Sequence, residues 1–295
     1  MRRDPNHGAH IPGTLLIFWD YDTQWGRDRT RLRRDPGWQG IDEFTCTERL
    51  LEMHGRYEIP ACFAVVASAA LPGERPYHDP GQIRAIHAAG HEVASHTMRH
   101  EWIPGLSPLH LRDNLRSSRR ILEECIGAPV TTLVPPYNRP FDCAPRWSIS
   151  IAERREAGRL RTSLPGLCEA LAETGYTFCR VAYRPFWERW REKLTRRQRH
   201  RPSRLERIAS LPCLRLNCPR GFGPDAMEVV ERVVREGGYA LAWGHPHALI
   251  QDCSEHERHV ESFLARVAEL RASGDLDIVT PRGLLAREMS TLPRP

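Results

Sequence analysis

The sequence predicts an α/β protein: a distorted (β/α) barrel of seven or eight strands, in a single domain with an irregular basic insertion. Three observations predict it. Short apolar or β-branched runs of strand length recur along the whole chain. Between them lie helical segments punctuated by Ser, Asp, Pro and Gly. The runs are apolar nearly throughout rather than alternating with polar residues, as strands covered by helices on both faces must be. About eight such units in 295 residues fit a barrel better than an open sheet.

In chain order, TLLIFW (14–19) is the first strand. Thr45 and Glu48 then stand at capping-box spacing ahead of the helical RLLEM. ACFAVVA (61–67) is the second strand, and Asp79-Pro80 opens a helix that Gly90 closes. EVAS (92–95) is the third strand; Ser107-Pro108 opens a helix that closes at Gly127. VTTLVP (130–135), YTFCRVAY (176–183) and LPCLRL (211–216) follow as strands. In 223–238, Met227, Val230, Val233 and Val234 share one face of a helix that glycines stop. YALAWG (239–244) and LDIVT (276–280) complete the strands. Residues 1–13 read as a disordered tail, 14–290 as the barrel, and 140–225 as its least regular part.

Composition narrows the class. An apolar share of 40% and a charged share of 27% are those of a globular protein, and no apolar run reaches the roughly 18 residues a spanning helix needs. The start, MRRDPNHGAHIPG, has no apolar core and does not read as a secretory signal. Nine scattered cysteines without a CxxC pair point to neither a disulfide framework nor a thiolate zinc site, so a cytoplasmic setting is expected. The net charge of +6 is uneven: residues 184–207 hold ten Arg or Lys against three Glu, a net +7. That stretch is either a solvated surface excursion or a place for an anionic or phosphate-bearing ligand. Nucleic acid is not expected as a partner, because Phe186, Trp187 and Trp190 do not make an ordered stacking platform.

In a barrel of this kind the chemistry sits where strands end. The first strand ends FWDYDTQWG, so Asp20 and Asp22 project to the same side while the chain stays extended. Such a pair either holds a cation between its charges or is a solvated turn. The third strand ends at His96, with His100 four residues on; if a helix starts there, both imidazoles share a face able to chelate a divalent metal. With fourteen histidines, some pair falls at this spacing by composition alone; His256 and His259 are an exposed example. The fourth strand ends VPPYNRP, a rigid turn in which Tyr137 still offers a backbone N–H. The seventh ends AWGHPHAL, where His245 and His247 are either proton donors and acceptors or satisfied structural histidines. Each signal is modest; their meeting at four strand ends is what carries weight.

With these motifs the chain resembles the polysaccharide deacetylase family (carbohydrate esterase family 4, the chitooligosaccharide deacetylase-like proteins), over roughly residues 14–145 and 210–285. The strongest part is IRAIHAAGHEVASHTMRHEW, similar to the family's Gly-His-Glu block followed by two histidines four apart. LLIFWDYD resembles its first motif in an Asp-x-Asp form, VPPYN its third and LAWGHPH its last. The resemblance implies a barrel that holds a divalent metal, most often Zn2+, with Co2+ or Ni2+ as alternatives. It assigns Asp22, His96 and His100 as ligands, Asp20 as general base, His245 as general acid and the Tyr137 N–H to the oxyanion. Pro136, Asn138 and His247 would contact substrate.

Two departures stand out. Val134 occupies the place of an arginine that in the family contacts the catalytic carboxylate, which leaves Asp20 without that cation unless another, such as Arg139, takes its part. No Asp–Trp element of the fourth motif occurs in 140–235. The resemblance implies metal-dependent hydrolysis of an amide, removing acetyl from an N-acetylated sugar, a glycan precursor or a related small amide, and the two departures point to an alternative. The alternative is a binding or regulatory protein on a deacetylase barrel that still binds metal.

Overall fold

Of the seven residues from Leu15 to Tyr21 all but Asp20 are apolar or aromatic, and they form most of β1, Gly13–Tyr21. The computed structural model of the chain describes residues 12–29, 41–138, 159, 161–182 and 201–291. After β1 come α1 (Thr23–Arg29), α2 (Ile41–Arg56), β2 (Cys62–Val65), α3 (Pro80–Ala88), β3 (Glu92–Ser95), α4 (Pro108–Ile126) and β4 (Thr132–Leu133). Then follow α5 (Leu164–Glu173), β5 (Phe178–Val181), β6 (Glu206–Ile208), β7 (Leu211–Arg215), α6 (Pro224–Glu236) and β8 (Tyr239–Gly244). The last are α7 (Glu257–Ala272), β9 (Leu276–Ile278) and α8 (Pro281–Thr291).

All these strands join one curled sheet in the order β6-β7-β5-β4-β3-β2-β1-β8, with β9 beside the start of β1. Every pairing is parallel except β6 with β7. The two ends of the curl meet across a seam between β7 and β8. Ser203 exchanges backbone hydrogen bonds with Tyr239, at 2.8 and 3.0 Å, while its Oγ accepts from Arg215 N. Asn217 donates to Arg201 O and Tyr239 O and accepts from Leu241 N. Further along, Gly221 N donates to Trp243 O. Among the described residues the barrel is thus completed by isolated bridges and the Asn217 amide rather than by a continuous ladder.

The two-residue period of the strands sorts the core. Leu16, Phe18, Ala64, Ala94, Phe178 and Leu241 fill the barrel interior. Their alternates pack outward: Ile17, Trp19, Phe63 and Val65 meet α2, α6 and α7, while Cys179 and Cys213 meet α4 and α5. Asp20 has the parity of Phe18 and so points inward, at the end where the parallel strands finish.

The eight runs read as strands each contain one, and a ninth strand, β6, was not expected. It joins β7 through Ala209 and Ser210, both left-handed (φ 46° and 70°), a turn usually marked by Asn or Gly. The tail expected over 1–13 is overlapped by β1, which takes in Gly13, and 1–11 lie outside the described residues. The basic stretch 184–207 is not wholly an excursion. Its described part, 201–207, belongs to the seam and to β6, with Glu206 paired to Arg215 at 2.6 Å; 184–200 lie outside the described residues. Asp79 and Ser107 cap their helices as expected, and Gly127 ends α4 at φ 68°. Thr45 does not start a helix: α2 begins upstream, where Asp42 and Glu43 already favour a first turn. No helix among the described residues is long and apolar enough to cross a membrane.

Candidate active site

The end of β1, the turn after β3 and the end of β8 bring the expected side chains together. Asp22 Oδ1 lies 3.3 Å from His96 Nε2 and 3.5 Å from His100 Nε2. Donor atoms at roughly 2.0–2.1 Å from a tetrahedral ion stand about 3.3 Å apart, so these separations suit one zinc-sized cation. All three residues are buried, and Asp22 Oδ1 has no hydrogen-bond donor of its own. His96 Nδ1 faces Val134 O at 2.7 Å; donation there leaves the Nε2 lone pair directed at the carboxylate. A carboxylate and two imidazoles, one of them oriented by a carbonyl, are a donor set that suits a divalent metal, and the residues present fit one.

The histidine pair is not on a helix, contrary to the expectation from its spacing. Residues 97–100 form a turn in which Thr97 and His100 are left-handed, at φ 67° and 59°. Side chains and neighbouring backbone hold it. Thr97 Oγ1 accepts from Glu101 N, Asn114 Oδ1 from Met98 N, and the carbonyls of Thr97 and Met98 accept from Ala67 and Ser68. The Tyr137 ring packs edge-on against His100, with centroids 4.5 Å apart, and its hydroxyl donates to His100 O. Tyr137 is itself left-handed (φ 69°), where the chain turns after Pro135 and Pro136.

Asp20 has a cation after all. Arg180 of β5 reaches across the barrel to Asp20 Oδ2 at 2.7 Å, with both side chains buried, 0% and 3% exposed. Its guanidinium sits over Phe18 and Trp243, 5.1 and 5.6 Å from the ring centroids. The vacancy at Val134 is therefore filled from the next strand; Arg139, the substitute considered from sequence, lies outside the described residues. Burial acts to raise the Asp20 carboxyl, but Arg180, with His96 and His245 behind it, outweighs burial and keeps it below its ordinary value. Asp22 is likewise held well below the carboxylate range, with His100 and His96 overcoming burial. Burial pushes His100 down to about 4, leaving it in the neutral form that ligates metal.

His245 follows Gly244 at the end of β8, its Nε2 4.0 Å from Asp22 Oδ2. Glu255 accepts from both its backbone N, at 2.6 Å, and its Nδ1, at 3.0 Å, and is itself paired with Arg220. Burial would lower the imidazole, yet Glu255, Asp22 and Asp20 together lift it above its ordinary value. Gly244 allows this approach: a Cβ there would stand 2.8 Å from Phe222 and 3.1 Å from Glu255 Oε1. His247 lies beside His245, ring centroids 5.2 Å apart, with Nδ1 3.6 Å from Glu43 Oε2. Glu43, on α2, also accepts from Asp22 N at 3.1 Å and Thr23 N at 2.9 Å. Pro136 is buried beside Tyr137; the side chain of Asn138 is outside the described residues.

Sequence reasoning did not find Arg180, Glu255 or Glu43. Arg180 left a signal, a single charge within the apolar run YTFCRVAY, which must be paired if the run is a buried strand. The two glutamates left none, since each stands in polar helical or loop sequence.

Fold and site together define an α/β-barrel protein with a carboxylate–bis-imidazole centre flanked by a second carboxylate and a carboxylate-paired histidine. In sequence the chain resembles the polysaccharide deacetylases: that family's profile matches residues 35–145. It is 33% identical over 93 residues to a chitooligosaccharide deacetylase of Bradyrhizobium sp. (strain ANU 289), 31% of this chain and 40% of that protein, so the match spans under half of the relative's length. A Mycobacterium smegmatis structure described as a polysaccharide deacetylase superposes with a TM-score of 0.58 at 18% identity, covering 100% of this chain and 97% of that one. The Puue allantoinase structure gives 0.61 at 15% identity, covering 100% and 96%. At such identities the likeness is one of fold.

Proposed function

We propose that this protein is a metal-dependent hydrolase that cleaves an amide, removing acetyl from an N-acetylated sugar, a glycan precursor or a related small amide. The observation that carries the reading is the convergence of Asp22, His96 and His100, whose ligand atoms all lie within 4.8 Å of one another. A divalent ion such as Zn2+, or Co2+ or Ni2+ in its place, supplies when bound an acidified water and a polarised carbonyl.

The remaining steps belong to the chain's own groups. Asp20 is the base: its Oδ2 is engaged by Arg180 while its Oδ1 has no hydrogen-bond partner and is free to take a proton from the attacking water. His245 is the acid. Glu255 keeps a hydrogen on its Nδ1, so Nε2, on the side of Asp22, is the atom that delivers a proton to the leaving nitrogen. The Tyr137 N–H, in a left-handed turn stiffened by two prolines, would stabilise the oxyanion, an effect worth about 3–4 kcal/mol for one well-placed donor. Pro136 and His247 would line the path of the substrate.

The deacetylase family match and the curated deacetylase relative support a glycan amide as the substrate class. A fold shared with an allantoinase does not by itself name that substrate. The alternative, a binding or regulatory protein on a deacetylase barrel, rests on the missing arginine and fourth motif. Arg180 and Glu255 supply a cation for Asp20 and a carboxylate for His245, which favours the enzyme.

The test is metal analysis of untagged protein, followed by turnover of N-acetylated oligosaccharides and small acetamides with Zn2+, Co2+ or Ni2+ added. Asp20→Asn is expected to abolish turnover, by at least 10²-fold, while metal stays bound. A chain that takes up none of the three metals would sink the reading. Metal uptake without turnover of any amide would favour the binding protein.

A further inference from the structure

Glu43 is fully buried, yet it is neither a ligand of the candidate metal site nor a member of its acid–base pair. We propose that it is a positioning residue, a carboxylate clasp that fixes Asp22 as a ligand and ties the end of β1 to the His247 turn at the end of β8. The proposal rests on the metal reading of Asp22, His96 and His100.

Asp22 stands at a corner of the backbone. It is the first residue beyond β1, so the sheet no longer fixes its backbone, and the next residue, Thr23, is left-handed at φ 54°. A ligand on such a corner needs an external hold. Glu43 supplies it with both oxygens: Oε1 accepts from Asp22 N and Oε2 from Thr23 N, at 3.1 and 2.9 Å. Two adjacent amides converging on one anion fix the peptide plane from which the Asp22 side chain departs. The same Oε2 stands 3.6 Å from His247 Nδ1, so a single carboxylate touches the ends of two neighbouring strands.

The clasp is itself rigid. Glu43 lies on α2, whose Phe44 meets Tyr21 of β1 edge-on at 6.0 Å and whose Phe44 carbonyl accepts from Gln82. The helix also packs on the 246–250 turn that carries His247. Burying a carboxylate is costly unless its charge is met by donors. Here the donors are the backbone of a proposed ligand, so the energy of burial is tied to that ligand's position. From the other side, Gly26 leaves no freedom: a Cβ there would stand 2.5 Å from Asp22 Cβ.

The experiment titrates Co2+ into the full chain, reading the visible spectrum and the affinity by competition with a chromophoric chelator. Glu43→Gln keeps the side chain's shape but turns one acceptor into a donor. It is expected to weaken Co2+ about tenfold and to shift the visible bands, as loss of a ligand's supporting contact does. Glu43→Asp keeps the charge on a shorter arm and is expected to fall between; it serves if the glutamine variant does not fold. Leu50→Ala, in the core face of the same helix, is the control: its melting temperature drops while affinity stays within twofold. Native affinity and spectrum in Glu43→Gln would overturn the clasp, as would an equal loss of affinity in Leu50→Ala. No Co2+ or Zn2+ uptake by the native chain would instead remove the metal reading, and the clasp's task with it.

Discussion

Arg180 and Asp20 pair inside the barrel with almost no solvent contact, so each charge depends on the other. Removing one member of a buried pair takes away the main compensation of the other's charge, which costs about 3–5 kcal/mol, whereas replacing both by neutral groups costs far less. Arg180→Met is therefore expected to lower unfolding stability by that amount at pH 7, and Asp20→Asn/Arg180→Met to recover most of it. Urea denaturation of the native chain, the two single variants and the double closes the cycle; independent, additive losses would show that the pair is not coupled. The same pair shows what was legible at this scale. The convergence of Asp22, His96, His100 and His245 was legible because their residue types are rare at strand ends and their spacing is distinctive. Glu43 and Glu255 were not, because a glutamate in polar sequence is ordinary, and only the fold brings Glu43 to Asp22 or Glu255 to His245. Arg180 leaves a readable mark, a lone charge in an apolar run at the parity of the inward-facing Phe178.

Among the elements, β1, α2 and the start of β3 are locked by two buried neutral histidines. His54 Nε2 accepts from Trp19 Nε1 at 3.0 Å while its Nδ1 faces Ile59 O at 2.9 Å, and His91 Nδ1 accepts from Ala61 N. Burial, with His91 close by, pushes His54 down to about 3; burial pushes His91 down to about 4. Both folded values lie below the roughly 6.5 of an unfolded chain, so above that pH neither group affects stability. As pH falls through 6.5 the unfolded state takes up protons that the folded state refuses. Each group then removes about 1.4 kcal/mol per pH unit, until its folded value is reached. The pair is expected to cost about 4 kcal/mol between pH 6.5 and 5, seen by urea denaturation with a chelator present. His54→Gln, which can still accept from Trp19, should flatten that slope by about 1.4 kcal/mol per unit; an unchanged slope would exonerate His54. Elements with strong local signals were legible, as the apolar strands and the capped α3 and α4 show. The 97–100 turn was not, because histidine spacing alone cannot tell a helical turn from a left-handed one held by Asn114 and the 67–68 backbone. Nor was β6, whose Ala-Ser turn carries none of the usual chemistry.

At the scale of the molecule, a parallel barrel was predictable from apolar strands alternating with helices, but the way it closes was not. A continuous ladder would have left a sequence mark in a further pair of strands; instead the lower seam rests on Ser203 and one side chain, Asn217. Asn217 takes up the buried Leu241 N–H of β8 and donates to the part-buried carbonyls of Tyr239 and Arg201, so it serves three backbone groups at once. Asn217→Ala strands the N–H of the fully buried Leu241, and leaving such a group unmet costs about 1–3 kcal/mol, with the lost bonds to both carbonyls added to it. The expected outcome is a loss of about 2–4 kcal/mol in urea denaturation and much faster exchange of the Leu241 amide. The upper seam should hold, because Gly221 still donates to Trp243 and Arg220 still pairs with Glu255 beneath His245. Co2+ affinity of Asn217→Ala should therefore stay within twofold of the native value even as the barrel weakens. If stability fell by less than about 0.5 kcal/mol with Leu241 still protected, the curl would be held by its helices and the seam would be incidental. If metal affinity fell in step with stability, the two ends of the barrel would be mechanically one, and the site would depend on closure as much as on its own ligands.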